Sequence, residues 1–292
     1  MAESGRAMRA PPAPKALRPP PTLDEVARAA LLSRCYDAHT HLHLDQSEVG
    51  QRAARVQLSR LTGAALMGSA LEDWPQARRL SEAHPSARCL LGVHPWFAHR
   101  YPDDQRWRAP LEAAIDAGLP GVGEIGLDKQ WRTPDTGAVE YAAQRRLFAA
   151  QLQLAGARGL PVSVHCVRAQ GDLYEALSTI DPLPPTIYLH AFGGAAGTVE
   201  QLTRARCFGR RLYFGFAACI NLRSPKGTQA IAAVPSDRLL LESDRSSAAR
   251  SLVEDELIEM LSIYAQLKGW ATLEEAAEQS AENARRWLSG AH

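Results

Sequence analysis

Histidines and carboxylates close a series of short apolar runs in this chain. The first run ends in Tyr36-Asp37-Ala38-His39-Thr40-His41. In an extended strand residues i and i+2 share a face. His39 and His41 are therefore expected to project together, a geometry that suits two imidazoles on one metal ion. His43 continues the spacing into the following loop. A later run, Gly121-Val122-Gly123-Glu124-Ile125-Gly126-Leu127-Asp128, places a carboxylate among glycines and apolar residues. Burying it there is costly unless it is paired or faces a cation. Val162-Ser163-Val164-His165, Tyr188-Leu189-His190 and Leu239-Leu240-Leu241-Glu242-Ser243-Asp244 end in the same manner. An isolated pair of histidines is weak evidence. The recurrence at successive run ends is stronger, and points to a cluster of metal-ligating side chains.

These residues can meet only if the run ends are brought to one face. Apolar runs predict buried strands near 35–39, 63–68, 88–93, 120–124, 161–165, 186–190, 211–216 and 238–242. Between most of them lie helical patterns, such as 137–158 and 172–180. Thr22 with Glu25, and Thr272 with Glu275, read as capping boxes opening an early and a final helix. Eight strands alternating with helices predict a (β/α)8 TIM barrel, whose carboxyl-terminal strand ends converge on one mouth. A doubly wound open sheet is the alternative, but no G-x-G-x-x-G or GK[ST] loop supports nucleotide binding.

The 292 residues allow one large domain or two small ones, and the net charge is +1. Residues 1–22 carry Arg6, Arg9, Lys15 and Arg18 against Glu3 alone, which leaves the rest at −2. Six prolines between 11 and 21 make this segment an extended, flexible, basic tail with the capacity to bind a protein partner. The near-neutral body argues against a protein that coats nucleic acid by bulk charge. No apolar stretch reaches the length of a membrane span. The N-terminus lacks the apolar core of a secretory signal. Five scattered cysteines, none in a CxxC arrangement, suggest reduced thiols and a cytoplasmic or nuclear setting.

In order along the chain, DAHTHL, GVHP at 92–95, GEIGLD at 123–128, PVSVH at 161–165, HAFGG at 190–194 and LLLESD at 239–244 resemble the TatD family of metal-dependent hydrolases, within the amidohydrolase superfamily. Gln144 and Phe148 fit that family's Q-x-x-x-F helix, and Asn283 its C-terminal asparagine. The resemblance covers about residues 35–288 and implies a distorted TIM barrel over 23–292. It also implies two divalent ions: His39, His41 and Asp244 on one, His165 and His190 on the other, with Glu124 bridging. The imidazole-rich set suits Zn²⁺ or Mn²⁺, and Mg²⁺ also occurs in the family. Asp244 and Glu124 are the expected catalytic carboxylates. His94, Asp128, Arg168 and Arg245 are the expected substrate contacts.

Two departures bear on the substrate. The family reads H-x-R-x-A-x-x-D after strand five, whereas this chain has Val167 at the arginine position and Arg168 one residue late. Valine cannot grip a phosphate bidentately. After Asp244 comes Arg245 in place of a small residue. It either replaces the missing arginine or pairs with a nearby acid. The E-S-D ending resembles a divergent eukaryotic branch that includes Cut9-interacting proteins. The resemblance thus implies a phosphodiesterase or deoxyribonuclease. Hydrolysis of another ester or amide, and a weakly active protein-interaction partner, are the alternatives.

Overall fold

The computed structural model describes residues 17–247 and 250–291. Its strands are β1 (Tyr36–Thr40), β2 (Gly63–Gly68), β3 (Ala87–Leu91), β4 (Val122–Asp128), β5 (Val162–Val167), β6 (Ile187–Leu189), β7 (Leu212–Phe216) and β8 (Leu239–Leu241). They form one sheet in chain order, and every pair from β1–β2 to β7–β8 is parallel. The helices are α1 (Glu25–Leu32), α2 (Glu48–Arg60), α3 (Trp74–Glu82), α4 (Gln105–Asp116), α5 (Tyr141–Ala157), α6 (Gln170–Thr179), α7 (Ala196–Thr203), α8 (Ala218–Asn221), α9 (Pro225–Ala233), α10 (Arg250–Lys268) and α11 (Leu273–Ser289).

The result is a nearly closed, distorted (β/α)8 barrel, not an open doubly wound sheet. No ladder joins β8 to β1, yet the seam is drawn shut just beyond the strand ends. There the Asp244 N–H donates to the His39 carbonyl (2.9 Å) and the His41 N–H to the Arg245 carbonyl (2.8 Å). The buried Asp37 carboxylate accepts from the Ser243 N–H (3.0 Å) and hydroxyl (2.6 Å). Burial pushes the Asp37 carboxyl up to about 7, although its hydrogen bonds pull the other way. Distortion shows also between β3 and β4, which pair through Leu91 and Val122 alone.

Period-two alternation divides the apolar side chains between two cores. Ala64 and Leu66 of β2 join the large core between sheet and helices, while Ala65 and Met67 join a smaller one with Tyr36, Leu90, Tyr188, Tyr213 and Leu240. The final helix, α11, completes that smaller core with Ala281, Ala284 and Trp287. Trp287 Nε1 donates to the Val162 carbonyl at the start of β5 (3.1 Å). Asn283 Nδ2 donates to the carbonyls of Ser236 (2.8 Å) and Leu239 (2.9 Å), which fixes α11 beside β8.

The final capping box forms as expected, with Thr272 Oγ1 accepting from the Glu275 N–H (3.1 Å). The first does not: α1 begins later, and Asp24 is its cap, accepting from the Ala27 N–H (2.8 Å). Asp24 stands directly before the helix, where a short carboxylate reaches the third amide without spanning an extra residue. The helix expected from 137 starts at Tyr141, because 133–138 form a turn with Gly137 at φ +66°. Of the basic tail, residues 1–16 lie outside the described residues. Leu17 packs against the core, and the Arg18 N–H donates to Gln266 Oε1 (2.7 Å). The five cysteines are free, and no helix among the described residues is long and apolar enough to cross a membrane.

Candidate metal centre

The mouth is organised around Glu124, whose side chain is 2% exposed. Its Oε2 lies 3.2 Å from His39 Nε2 and 3.0 Å from His41 Nε2. Its Oε1 lies 3.1 Å from His94 Nε2, 3.0 Å from His165 Nδ1 and 2.7 Å from His190 Nε2. One carboxylate thus offers an oxygen to each of two groups of imidazoles. Asp244 Oδ1 stands 3.7 and 3.8 Å from the Nε2 atoms of His39 and His41, and closes the first group. The backbone beside Glu124 is built for close approach. Gly126 has φ +150°, and a Cβ there would lie 2.0 Å from the His165 carbonyl oxygen.

Three of the imidazoles are oriented from behind. The Met67 carbonyl accepts from His41 Nδ1 (2.9 Å), Ser163 Oγ shares a hydrogen bond with His39 Nδ1 (3.0 Å), and Asp128 Oδ2 faces His165 Nε2 (3.3 Å). Engaging the far nitrogen leaves the near one free to act as a metal ligand. His94 is different. Its Nδ1 accepts from the Trp96 N–H (3.2 Å), so the neutral ring carries its proton on Nε2, aimed at Glu124. His94 is therefore a hydrogen-bond donor in this arrangement. His190 stacks on His39 with ring centroids 3.8 Å apart.

Burial lowers His39 well below the ordinary histidine value, and the neighbouring His190 adds to this. Burial likewise takes His94 down to about 4, against the opposing charge of Glu124. For His41 and His165 burial also pulls downward. Hydrogen bonds and charge from Glu124, with Asp244 near one ring and Asp128 near the other, outweigh it and raise both to about 9. Burial would raise Glu124, but the surrounding imidazoles hold it well below the usual carboxylate range. Burial raises Asp244.

The donors fit a metal on chemical grounds. Glu124 is buried with five imidazole nitrogens within 3.2 Å of its oxygens, a concentration of lone-pair donors that is costly unless protons or a cation join it. His39, His41 and Asp244 form one compact donor group, and His94, Glu124 and His165 another. Nitrogen-rich donors of this kind suit Zn²⁺ or Mn²⁺ more than a hard ion bound by oxygen alone.

The other expected site residues divide. Asp128 is buried behind His165, where its Oδ1 accepts from the backbone of Gln130 (2.7 Å) and Trp131 (3.0 Å) and its Oδ2 from Trp96 Nε1 (2.8 Å). It positions neighbours and does not face the opening as a loop contact. Arg168 stands at the rim at φ +52°, with its Nε and Nη2 3.1 Å from the Gln130 side-chain amide, which accepts from both when its oxygen is turned toward the guanidinium. Arg245 is paired with Glu256 through both Nε and Nη2. Val167, at the family's arginine position, is partly buried at the end of β5. His43 follows the strand in a short turn, 3.8 Å from Asp73 and apart from the cluster.

Sequence reasoning assigned no role to Ser163, Glu242 or Trp96. Ser163 sits two residues before His165 on β5 and so shares its face, a signal that was available. Glu242 is buried, accepts from the Ala191 N–H (2.7 Å) and from the Tyr188 hydroxyl, and is raised by burial and by nearby Asp244. Gly215 leaves room for that pair, since a Cβ there would lie 2.0 Å from the Tyr188 hydroxyl. From α5, Gln144 Oε1 accepts from the Asp128 N–H (2.7 Å) and Gln151 Oε1 from the Val93 N–H (2.7 Å). These two amides hold the loops after β3 and β4 in place.

A parallel barrel with imidazoles and carboxylates gathered at its carboxyl-terminal mouth defines a barrel hydrolase of the metal-dependent class. The chain belongs to the TatD-related DNase family, whose model matches residues 36–289. It is 31% identical over 210 residues to a 3′-5′ ssDNA/RNA exonuclease TatD from Citrobacter rodentium, covering 68% of this chain and 72% of that protein. It is 25% identical over 337 residues to the Cut9-interacting protein scn1 of Schizosaccharomyces pombe, covering 86% of this chain and 98% of that one. Its fold is similar to the crystal structure of the TatD homologue YJJV from Escherichia coli K12, with a TM-score of 0.72 at 23% identity over 88% of this chain and 98% of that one.

Proposed function

We propose that the protein is a phosphodiesterase that uses two divalent cations to hydrolyse a single-stranded nucleic acid, with residues 23–292 as the catalytic unit. The observation that carries this reading is the division of Glu124, one oxygen toward His39 and His41 and the other toward His94, His165 and His190. The names of the TatD relatives supply the substrate class. His39, His41 and Asp244 would hold one ion, His165 and His190 the second, and Glu124 both. When bound, such ions make water acidic enough to attack at neutral pH and neutralise charge on the phosphate.

The chain's own groups do the rest. Asp244 is the more open carboxylate, at 14% side-chain exposure against 2% for Glu124, and accepts the proton of the attacking water at Oδ1. Its backbone, at φ +51°, turns the side chain back over the His39 carbonyl that its own amide bonds. His94 Nε2 supplies a proton toward developing negative charge. Arg168, whose guanidinium faces the neutral Gln130 amide and not a carboxylate, is the arginine placed to meet phosphate from the rim. Arg245 has no part in this reading, because Glu256 occupies it.

The test is cleavage of a 3′-labelled single-stranded oligonucleotide by protein loaded with Zn²⁺, Mn²⁺ or Mg²⁺. Cleavage by wild type, lost in both His39→Ala and Asp244→Ala, is the expected result. Hydrolysis of carboxylic esters or amides by the loaded protein, with no nucleic acid cleaved under any metal, would overturn it.

A further inference from the structure

The rim of the mouth carries an aromatic surface that the hydrolytic chemistry does not use. Trp96 and Trp131 lie nearly parallel, with ring centroids 6.1 Å apart and 11° between planes. His99 stacks on Trp131 at 5.6 Å. Trp96 is 40% exposed, although a tryptophan ring gains more than most side chains from being covered. These rings are not loose. Asp128 Oδ2 accepts from Trp96 Nε1 (2.8 Å), and Asp128 Oδ1 accepts from the Trp131 N–H (3.0 Å). The same Oδ2 faces His165 Nε2 at 3.3 Å. One buried carboxylate therefore holds the Trp96 indole, the backbone amide of Trp131 and an imidazole of the donor cluster. Trp96 also meets His94 edge-on, with centroids 4.9 Å apart. Arg168 bonds to Gln130, the residue beside Trp131.

We propose that Trp96 and Trp131 form a nucleobase-stacking subsite that holds the base next to the scissile phosphodiester of a single strand. This deepens the phosphodiesterase reading and rests on it. A phosphodiester reaching His94 and Glu124 carries a base on its neighbouring sugar, within a ring's length of the Trp96 face. Any base has a flat face, so stacking takes all sequences, whereas a duplex keeps its faces inside. Arg168 lies on the same side, where the backbone of a stacked nucleotide brings its next phosphate. The platform thus selects single-stranded ends without reading their sequence.

The test uses the full-length, Mn²⁺-loaded protein and two single-stranded oligonucleotides. They differ only in whether the nucleotide beside the cleaved linkage bears a base or an abasic tetrahydrofuran. Wild type is expected to favour the base-bearing strand by about tenfold in kcat/KM, the size of one stacking interaction. Trp131→Ala should bring this ratio toward one, and Trp131→Phe should restore much of it. A misfolded variant would lose both substrates alike and leave the ratio unchanged. Equal wild-type rates on the two strands, or an unchanged ratio in a Trp131→Ala protein that still cleaves the abasic strand at the wild-type rate, would overturn the subsite while leaving hydrolysis intact. If neither strand is cleaved, the phosphodiesterase reading fails, and tryptophan fluorescence decides the subsite. Quenching by the base-bearing strand that weakens in Trp131→Ala supports it, and no quenching overturns it.

Discussion

At the floor of the barrel, Trp287 from α11 fills the space between Tyr36, Tyr188 and Tyr213, and its indole N–H reaches the Val162 carbonyl. At the mouth of the same barrel, Glu124 is buried and crowded by five imidazoles. Tyr188 stands between the two regions, with its ring on Trp287 and its hydroxyl on Glu242. The floor is stable by packing alone, because apolar rings gain by leaving water and need little else. The mouth gathers groups that oppose burial, a cost that bound cations would offset. Stability and function are thus separated along one barrel axis.

The sharpest way to break this division is Glu124→Gln. It removes the charge that both imidazole groups face, so nucleic-acid cleavage should fall by about 10³-fold or more. Metal content by elemental analysis should drop with it, while thermal unfolding of the metal-free protein stays near wild type. The reciprocal change, Trp287→Ala, should cost about 3–5 kcal/mol of stability in denaturant unfolding. Metal content per folded molecule should not change. Asp128→Asn keeps the shape but weakens the partner of His165, and a loss of about 10–100-fold in metal affinity is expected from titration. A smaller effect belongs to neither region. Burial lowers Lys268, in the outer layer, from 10.5 to about 8. The folded chain then binds fewer protons than the unfolded chain between those values, so stability should rise with pH across that window. Lys268→Met should flatten the rise in urea unfolding measured from pH 8 to 10.5, and metal content should not respond.

Much of this division was legible in the sequence because strands impose a strict period. His39, His165, His190 and Asp244 stand at or just beyond the end of a buried run and Glu124 within one that continues to Asp128, and parallel strands bring such segments to one mouth whatever the detailed register. The eight strands were legible for the same reason. What escaped depends on contacts between distant loops. Asp128 read as a residue that either orients a ligand or contacts the substrate, and only the loops after β3 and β4 show that it faces His165, Trp96 and Trp131 together. Arg245 left two outcomes open, and only the placement of Glu256 on α10 decides that it is paired. The cap of α1 was misplaced because Thr22 and Asp24 both stand near the helix start, and the choice rests on backbone geometry.

The most direct measurement is single-stranded oligonucleotide cleavage by chelator-stripped protein, before and after divalent ions are restored, with the bound ions counted. The expected result is no cleavage after stripping and full recovery as two ions per chain return. Equal cleavage by the stripped protein, or none by the fully loaded one, would contradict a mouth that cations complete for hydrolysis of nucleic acid.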